Sequence, residues 1–384
     1  MKIIIVGAGM GGLAVASLLA QAGHHEVQVL EQSTGFREAG YGIGLYPLGA
    51  MVFNALGLGT ALRERSVELN RYEVHGPDGS CLQSVDLGAL LSSYGPMLGV
   101  TRSDLIDLLV SSLPVGTIRF GARVLSVQSE GDHVMLKTED GSQFRSDVVV
   151  AADGIHSQIR HCLFGQVAEH DTGFHAWMWW APSSLAKPQT VAEYWGPSAF
   201  VGLYPMPKFV NVAVGVPKAL SPDPLADTAD ILGALREIVT EHAPAVAKLP
   251  HLWELEGRKP FLWPMADVRA PALTALDNRL ALVGDSGVGF LPTAGVGASN
   301  ALRSGAALAY ELSLADASTA QAAVRRWDRR VRPLVQANQA ESQQLAKLMM
   351  VRHKSASVLI NLLMKHMPVT AITKSIIKSM EEPF

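Results

Sequence analysis

The chain has 384 residues, of which 48% are hydrophobic and 17% are charged, and its net charge is -3. At roughly 150 residues per domain, this length predicts two or three domains, and the composition excludes a disordered chain. The near-neutral charge gives no overall electrostatic reason to bind nucleic acid. Cys81 and Cys162 are the only cysteines. They exclude a disulfide framework and a cysteine-based metal site, and we expect two buried, reduced thiols in a cytoplasmic protein.

The first elements along the chain predict a βαβ unit. Residues 2–6 are a continuous, β-branched run typical of a buried parallel strand, residues 10–22 predict a helix, and residues 26–30 predict a second strand. The apolar start also resembles a secretion signal, but its closely spaced glycines break a signal helix and suit a phosphate-binding turn. No other stretch reaches the ~18 apolar residues of a membrane span.

Two later apolar strands, residues 147–152 and 279–283, each run into an acidic turn. Between them the chain becomes rich in Trp, Tyr and Pro with short alternating runs, which predicts antiparallel strands and one helix near 226–242. Helices return from about residue 298. We therefore predict a discontinuous nucleotide-binding domain interrupted by a substrate domain. The expected segments are residues 1–171 (with 73–97 as a candidate addition to the substrate sheet), 172–265, 266–345 and a helical tail, 346–384.

Glycines follow the first strand in the pattern GxGxxG. Gly7 permits a tight turn, Gly9 lets the backbone approach a pyrophosphate, and Gly12 lets the helix pack on the strand. The N-terminus of that helix offers N–H groups to phosphates. Glu31 follows the second strand, where a carboxylate accepts hydrogen bonds from a ribose diol and repels the 2′-phosphate of NADP. The pattern predicts a bound FAD or NAD.

Three motifs in this order narrow the choice. They are the GxGxxG turn, the segment Asp153–Arg160 (DGIHSQIR), and Gly284-Asp285-Ser286 followed by PTAGVG at residues 292–297. With them the chain resembles the class A flavoprotein monooxygenases, the family of p-hydroxybenzoate hydroxylase, from residue 2 to about 310. The resemblance implies an α/β fold, with a Rossmann-like FAD-binding domain, an inserted, mostly antiparallel β-sheet substrate domain and C-terminal helices. It also implies FAD as the cofactor and NAD(P)H as a transient co-substrate.

The resemblance assigns roles to the turn residues. Asp285 would accept a hydrogen bond from a ribityl hydroxyl, backbone N–H groups of Gly295 and Gly297 would meet the flavin pyrimidine edge, and Pro292 would lie near the ring where oxygen reacts. Asp153, with Arg160, would support FAD binding and the encounter with NAD(P)H, although a structural turn with a local ion pair is the alternative. The other residues implied at the cofactor are Arg37, Gly44, Arg102 and, through its main chain, Val124.

The chain departs from the family pattern at three places. Val288 stands where the family has His, the segment Gly295–Ser299 replaces Gly-Gln-Gly-x-Asn, and Ser304 replaces an Asp. These changes keep the backbone contacts and remove polar side chains. They predict a less polar environment around the flavin.

The substrate side offers aromatic candidates. Residues 177–182 (WMWWAP) resemble the WxWxIP signature of flavin-dependent halogenases, but the only lysine between Lys2 and Lys187 is Lys137, in a predicted surface hairpin. Trp179 and Tyr204 are candidate substrate contacts, and core packing is the alternative for both. No side chain is predicted to act as a nucleophile, and no metal ligands are predicted.

The tail from Ser355 to Met380 has apolar residues at helical spacing with lysines between them, and Pro368 divides it into two helices. We expect it to pack on the domain. A cap over the substrate entrance and a membrane-surface contact are the alternatives.

The resemblance implies an FAD-dependent monooxygenase that uses NAD(P)H and O2 to hydroxylate a small, aromatic and rather hydrophobic substrate through a flavin C4a-hydroperoxide. The alternatives are a flavin-dependent reductase or dehydrogenase, a halogenase, and a non-catalytic FAD-binding regulator. The sequence leaves the substrate, the regiochemistry and the oligomeric state open.

Overall fold

The computed structural model describes residues 1–36 and 41–368. Within them, helices and strands alternate towards both ends of the chain, and strands dominate the middle. The strands are β1 (Lys2–Val6), β2 (Glu26–Leu30), β3 (Gly42–Leu45), β4 (Ser66–Leu69), β5 (Arg71–His75), β6 (Cys81–Asp86), β7 (Met97–Thr101), β8 (Ile118–Arg119), β9 (Val124–Glu130), β10 (His133–Thr138), β11 (Gln143–Ser146), β12 (Val148–Ala151), β13 (Glu169–Pro182), β14 (Thr190–Gly196), β15 (Ala199–Pro205), β16 (Phe209–Pro217), β17 (Phe261–Arg269), β18 (Thr274–Ala275), β19 (Leu280–Leu282) and β20 (Val288–Gly289).

The helices of the described residues are α1 (Met10–Ala22), α2 (Pro47–Ala55), α3 (Gly59–Glu64), α4 (Leu87–Leu90), α5 (Arg102–Ser111), α6 (Gln158–Phe164), α7 (Thr228–His242), α8 (Pro244–Ala247), α9 (Gly297–Ser313), α10 (Ala320–Met349) and α11 (Lys354–His366). Short 3₁₀ turns occur at Ser183–Leu185, Gly284–Ser286 and Pro292–Ala294. None of these helices is long and apolar enough to cross a membrane.

The first large sheet has the strand order β18-β19-β12-β1-β2-β8 and is parallel except for the β18–β19 pair. Its β-branched strands are buried on both faces, as in a doubly wound fold. Helices α1 and α9 pack on one face of this sheet. Their contact is so close that a Cβ on Gly305 would lie 2.8 Å from the carbonyl oxygen of Gly11. The β9–β11 sheet packs on the other face.

The second large sheet has the order β20-β17-β13-β16-β15-β14-β5-β6 and is antiparallel except for the parallel β14–β5 pair. Strands β5 and β6 come from the segment that was a candidate addition to it. The predicted limits at residues 172 and 265 fall inside β13 and β17. Helices α7 and α8 cover one face of this inserted sheet with apolar side chains, so its other face is left for the nucleotide domain.

Helix α10 connects the two sheets. Near its start, Trp327 Nε1 donates to the carbonyl oxygen of Ser304 in α9 at 2.9 Å. Further along, Gln339 Nε2 donates to the carbonyl oxygens of Val268 at 2.9 Å and Gly289 at 2.7 Å, both in the inserted sheet. One helix therefore fixes the seam between the domains.

The predicted α/β architecture, with an antiparallel sheet inserted into a Rossmann-like domain and helices at the end, is confirmed. The expectation of two buried thiols is wrong. Cys81 and Cys162 are both exposed: Cys81 begins the edge strand β6, and Cys162 lies at the surface between α6 and β9, where its Sγ donates to the carbonyl oxygen of Leu125 at 3.2 Å. Neither side chain is part of a core.

The described part of the tail forms α11, which packs on β6. Gln83 Nε2 donates to the carbonyl oxygen of Met367 at 2.8 Å and also to that of Met364. The first half of the tail therefore packs on the inserted sheet, as expected. Leucines on its outer side, Leu359, Leu362 and Leu363, are exposed. The second predicted helix lies outside the described residues.

Candidate functional site

The glycine turn between β1 and α1 uses its three glycines differently. Gly7 has φ +102°, and a Cβ there would lie 2.4 Å from the carbonyl oxygen of Ala152. A Cβ on Gly12 would lie 2.2 Å from the carbonyl oxygen of Gly7, whereas a Cβ on Gly9 would meet nothing closer than 3.9 Å. The fold itself thus requires Gly7 and Gly12. Gly9 instead leaves open space before the N-terminus of α1, where N–H groups are unpaired.

Glu31 lies beside this turn. Its carboxylate accepts hydrogen bonds from the backbone N–H of Ala8 and of Ser33, each at 2.8 Å. The contact with Ala8 fixes the acid against the glycine turn, as the βαβ pattern predicts. Ala122 N–H donates to the carbonyl oxygen of Glu31 at 2.8 Å, which brings the buried Val124 at the start of β9 near the same edge.

Asp285 occupies the 3₁₀ turn after β19, at the same end of the parallel sheet. Its carboxylate is half-buried and accepts no hydrogen bond from the residues that the structure describes. Burial raises the pKa of Asp285 to about 6, although the guanidinium groups of Arg160 and Arg102 act to lower it. Tyr41 lies close to Arg102 and Asp285. Burial raises the pKa of Tyr41 most strongly, the charge of Arg102 lowers this pKa, and Asp285 raises it. The turn therefore holds an acceptor that has no donor among the described residues.

Asp153 and Arg160 build the support of this turn. The carboxylate of Asp153 accepts from Ser157 Oγ at 2.6 Å and from Ile159 N–H at 3.0 Å, so both oxygens serve the start of α6. Arg160 donates to the carbonyl oxygens of Ser286 at 2.9 Å and Asp285 at 3.3 Å. This geometry favours the structural alternative for Asp153. Arg160 is a positioning residue for the Asp285 turn.

The turn at Pro292–Ala294 leads into α9. Gly295 has φ +63°, a conformation that favours glycine, but its N–H donates to the carbonyl oxygen of Pro292 at 3.0 Å. The Gly295 N–H is therefore engaged within the turn, and its contact with the flavin pyrimidine edge stays a prediction. Gly297 begins α9, so first-turn N–H groups without helical partners lie there. Tyr46 Oη donates to the carbonyl oxygen of Ala294 at 3.2 Å and holds the turn from the other side.

At two of the positions where the chain departs from the family pattern, 288 and 304, the side chains lie in the interior. Val288 and Ser304 both line a narrow internal cavity of about 10 Å³, beside Trp327. Ser304 Oγ donates to the carbonyl oxygen of Ala301 at 3.2 Å. The loss of polar side chains at these positions is therefore accommodated in the packed core.

The inserted sheet separates the two predicted substrate contacts. Trp179 is 1% exposed under α7 and α8, and its Nε1 donates to the carbonyl oxygen of Leu252 at 3.2 Å. Because side chains alternate along a strand, Tyr204 lies on the opposite face from Leu203, which shares the core of Trp179. Trp179 is thus part of that core and not of the site. Tyr204 faces the nucleotide domain.

Sequence reasoning missed the group that Tyr204 contacts. Glu193 on β14 is 3% exposed, and its carboxylate accepts from Tyr72 Oη and Tyr204 Oη, each at 2.7 Å, and from Trp195 Nε1 at 3.0 Å. Period-2 alternation along β14 places Glu193 and Trp195 on one face, but only the pairing of β14 with the distant strand β5 brings Tyr72 to them.

The remaining predicted residues are placed as follows. Gly44 lies in β3, where a Cβ would be 2.7 Å from Met97 Cε. Arg102 begins α5, and the structure brings its guanidinium near Asp285. Lys137 is exposed on β10, in a different sheet from the tryptophans of β13. Arg37 lies outside the described residues.

Residues 1–341 match a family model described as an FAD binding domain. The chain belongs to this FAD-binding domain family. A curated relative, the 3-amino-4-hydroxybenzoate 2-monooxygenase PtnB3 of Streptomyces platensis, is 39% identical over 43% of this chain and 42% of its own length. The match thus spans less than half of that relative. The aurachin C monooxygenase/isomerase of Stigmatella aurantiaca is 25% identical over 82% of this chain and 81% of the relative.

Solved structures have the same fold. Klebsiella pneumoniae HpxO, complexed with FAD and uric acid, has a TM-score of 0.88 and 22% identity, over 100% of this chain and 97% of that one. A salicylate hydroxylase in complex with its substrate has a TM-score of 0.78 and 21% identity, over 100% and 98%. At such low identities the likeness concerns the fold.

The residues present fit FAD. The open space at Gly9 and the unpaired start of α1 suit a pyrophosphate, and Glu31 beside them suits the adenosine ribose. The half-buried carboxylate of Asp285 lacks a described protein donor and suits a ribityl hydroxyl. These groups lie at the carboxyl ends of β1, β2 and β19, at the same edge of one parallel sheet.

Proposed function

We propose that this chain is an FAD-dependent monooxygenase that uses NAD(P)H and dioxygen to hydroxylate a small aromatic substrate. The observation that carries the proposal is the pair of acids Glu31 and Asp285 at one edge of the parallel sheet, with a second sheet covering the far end of that edge. The first relatives and the HpxO complex support the substrate class, because their names describe aromatic or heteroaromatic compounds.

FAD would be held at two ends. The glycine turn and Glu31 would bind the adenosine half, and Asp285 and Arg102 would bind the ribityl half. The start of α9 at Gly297 would favour negative charge on the ring. When bound, FAD supplies hydride acceptance from NAD(P)H and the activation of dioxygen. Arg160 would keep the Asp285 turn in position through its contacts with two carbonyl oxygens.

The protein's own contribution is orientation and exclusion of water. The Gly42 N–H donates to Asn211 Oδ1 at 3.0 Å, and Asn211 Nδ2 donates to the carbonyl oxygen of Trp179 at 3.1 Å. This bridge fastens the inserted sheet to the nucleotide domain. A substrate would lie between that sheet and the turn at Pro292, and no nucleophilic side chain is needed.

The test starts with the colour and flavin absorbance of the purified protein. NAD(P)H oxidation is then followed with a panel of small phenols and heteroaromatic compounds. The masses of the products formed under isotope-labelled dioxygen are measured by mass spectrometry. We expect bound FAD, substrate-stimulated oxidation and one labelled oxygen atom in the product. A colourless protein that cannot be reconstituted with excess FAD would contradict the proposal.

The same experiment separates the alternatives. A product without the label would favour a reductase or dehydrogenase, and the absence of stimulated NAD(P)H oxidation would favour a non-catalytic regulator. A product mass that depends on chloride would favour a halogenase. Burial of Trp177 and Trp179 under α7 speaks against a halogenase, since these tryptophans form the core of the sheet.

A further inference from the structure

Glu193 is a buried carboxylate that the proposed chemistry does not use. It accepts hydrogen bonds from two tyrosine hydroxyls and one indole N–H, at Tyr72, Tyr204 and Trp195. Among the described residues, no lysine or arginine is close enough to act on its pKa, which burial raises and the three donors lower. We call these four residues the Glu193 cluster. It carries no compensating positive charge.

The cluster lies on the face of the inserted sheet that is turned towards the nucleotide domain. Glu193 raises the pKa of Tyr72 and of Tyr204, and Tyr46 of the nucleotide domain also raises both. Tyr46 in turn binds the carbonyl oxygen of Ala294, in the turn next to Pro292. The cluster therefore borders the space between the sheet and this turn.

The hydrogen bonds fix what these hydroxyls can still do. A tyrosine has one hydroxyl proton, and a tryptophan N–H only donates. Tyr72 and Tyr204 commit their protons to Glu193, and Tyr46 commits its proton to Ala294. The amide of Asn211 on the same face is also engaged at both ends. Towards a ligand, the tyrosine oxygens can only accept hydrogen bonds.

We propose that the Glu193 cluster selects substrates that present a hydroxyl or ring N–H donor to Tyr72 and Tyr204, and excludes a carboxylate from that end of the pocket. The inference rests on the proposed function, because it takes this space as the substrate site. Acceptor oxygens leave a carboxylate without hydrogen-bond donors, and a charged group that loses water without gaining donors is costly to bury. The 3-amino-4-hydroxybenzoate of the first relative carries such a carboxylate, so we expect a different substrate here.

The probes are three naphthalenes that differ only at one position: 2-naphthol as the donor, 2-methoxynaphthalene as the ether, and 2-naphthoate as the anion. Phenol, anisole and benzoate form a second, smaller series. Their dissociation constants are measured by calorimetry on the FAD-loaded protein. We expect the naphthol to bind about tenfold more tightly than the ether, the magnitude of one hydrogen bond to a buried partner, and the anion to bind most weakly.

The variant Glu193→Gln gives the sharpest test. Its amide must donate to one tyrosine oxygen, so one tyrosine hydroxyl is released to donate to a ligand. We expect the ratio of naphthoate to naphthol affinity to rise about tenfold or more. Tyr204→Phe removes one acceptor, and we expect naphthol affinity to fall to about the affinity of the ether.

The matched control is Tyr194→Phe. Tyr194 is the next residue on β14, but it points to the opposite face and stacks on His75 at 4.8 Å between ring centroids. We expect it to leave all affinities unchanged. If Glu193→Gln does not fold by circular dichroism, Tyr72→Phe and Tyr204→Phe provide the test.

Two results would overturn the inference. One is a wild-type protein that does not prefer the donors in either series, whether all probes bind equally or none binds. The other is a preference that the folded variants of the cluster do not alter. Failure of the proposed function would look different, because it would appear as a lack of FAD or of labelled product and not as a change in the order of affinities.

Discussion

The nucleotide edge of the parallel sheet and the inner face of the inserted sheet offer different chemical groups to the ligands that we propose for them. The nucleotide edge relies on backbone, because the glycine turn offers N–H groups and open space, and its acids Glu31 and Asp285 come directly after strands. The inserted sheet relies on side chains from separate strands, such as Tyr72 and Tyr204 around Glu193. The proposed cofactor contacts are thus local in sequence, whereas the proposed substrate contacts depend on strand pairing.

The largest expected effect tests whether the two faces of the inserted sheet are independent. Trp179→Ala would leave a cavity under α7 and lower the free energy of unfolding by about 3–5 kcal/mol. Tyr204→Phe on the other face would cost about 1 kcal/mol, the value of one hydrogen bond. Chemical denaturation of both variants measures the difference. Equal losses would mean that the faces are coupled.

The next effect distinguishes glycines that the fold needs from the glycine that the ligand needs. Gly12→Ala forces a Cβ to 2.2 Å from the Gly7 carbonyl oxygen, and we expect a loss of about 1–3 kcal/mol from overpacking. Gly9→Ala has open space and an ordinary φ of -80°, so stability should stay within about 0.5 kcal/mol.

The affinity for FAD separates the two glycine variants, Gly12→Ala and Gly9→Ala. Gly9→Ala should bind FAD about tenfold or more weakly, because its methyl group projects into the space assigned to the pyrophosphate. A Gly9→Ala protein with normal FAD affinity would contradict that assignment. Thermal unfolding of the apoprotein and titration with FAD measure the two quantities separately.

A smaller effect concerns Asp285, whose pKa is raised from 3.8 to about 6 in the folded protein. Since the folded state holds this proton more tightly than the unfolded state, the contribution to stability is full below pH 3.8 and is lost as the pH rises through about 6. An asparagine carries no ionisable group, so Asp285→Asn does not lose stability as the pH rises. We expect the variant apoprotein to be more stable than wild type by about 1–3 kcal/mol at neutral pH, with no difference near pH 4.

The same substitution should weaken FAD binding, because an amide oxygen is a poorer acceptor than a carboxylate. Denaturation of the apoprotein across this pH range, together with FAD titration, measures both effects. A wild-type apoprotein whose stability does not fall between pH 4 and neutral pH would contradict the burial of this acid.

The smallest effect is expected at Lys137. Its side chain is exposed on β10, away from the sheet that carries the tryptophan motif. Lys137→Ala should change stability by less than about 0.5 kcal/mol and leave NAD(P)H oxidation unchanged. A loss of turnover in this variant would revive the halogenase alternative and place the reaction at a different surface.

The two regions also differ in what the sequence could predict. Gly7 and Glu31 were predictable because a turn that follows a strand fixes its residues by spacing, whereas Asp285 was assigned through the family resemblance. The open choice between pocket and core for Trp179 and the omission of Glu193 share one cause: the face of a strand depends on its register with neighbours far away in the chain. The closure of the 3₁₀ turn, in which the Gly295 N–H donates to the carbonyl oxygen of Pro292, was also beyond the reach of the motif.

Helix α10 has a consequence for biosynthesis. The seam between the sheets is fastened through Gln339 to Val268 and Gly289, and this helix comes after all of the strands that it joins. We therefore expect both sheets to pair on the ribosome before α10 has left the exit tunnel, so that the contacts of this helix are added to an orientation that the Gly42–Asn211 bridge already favours.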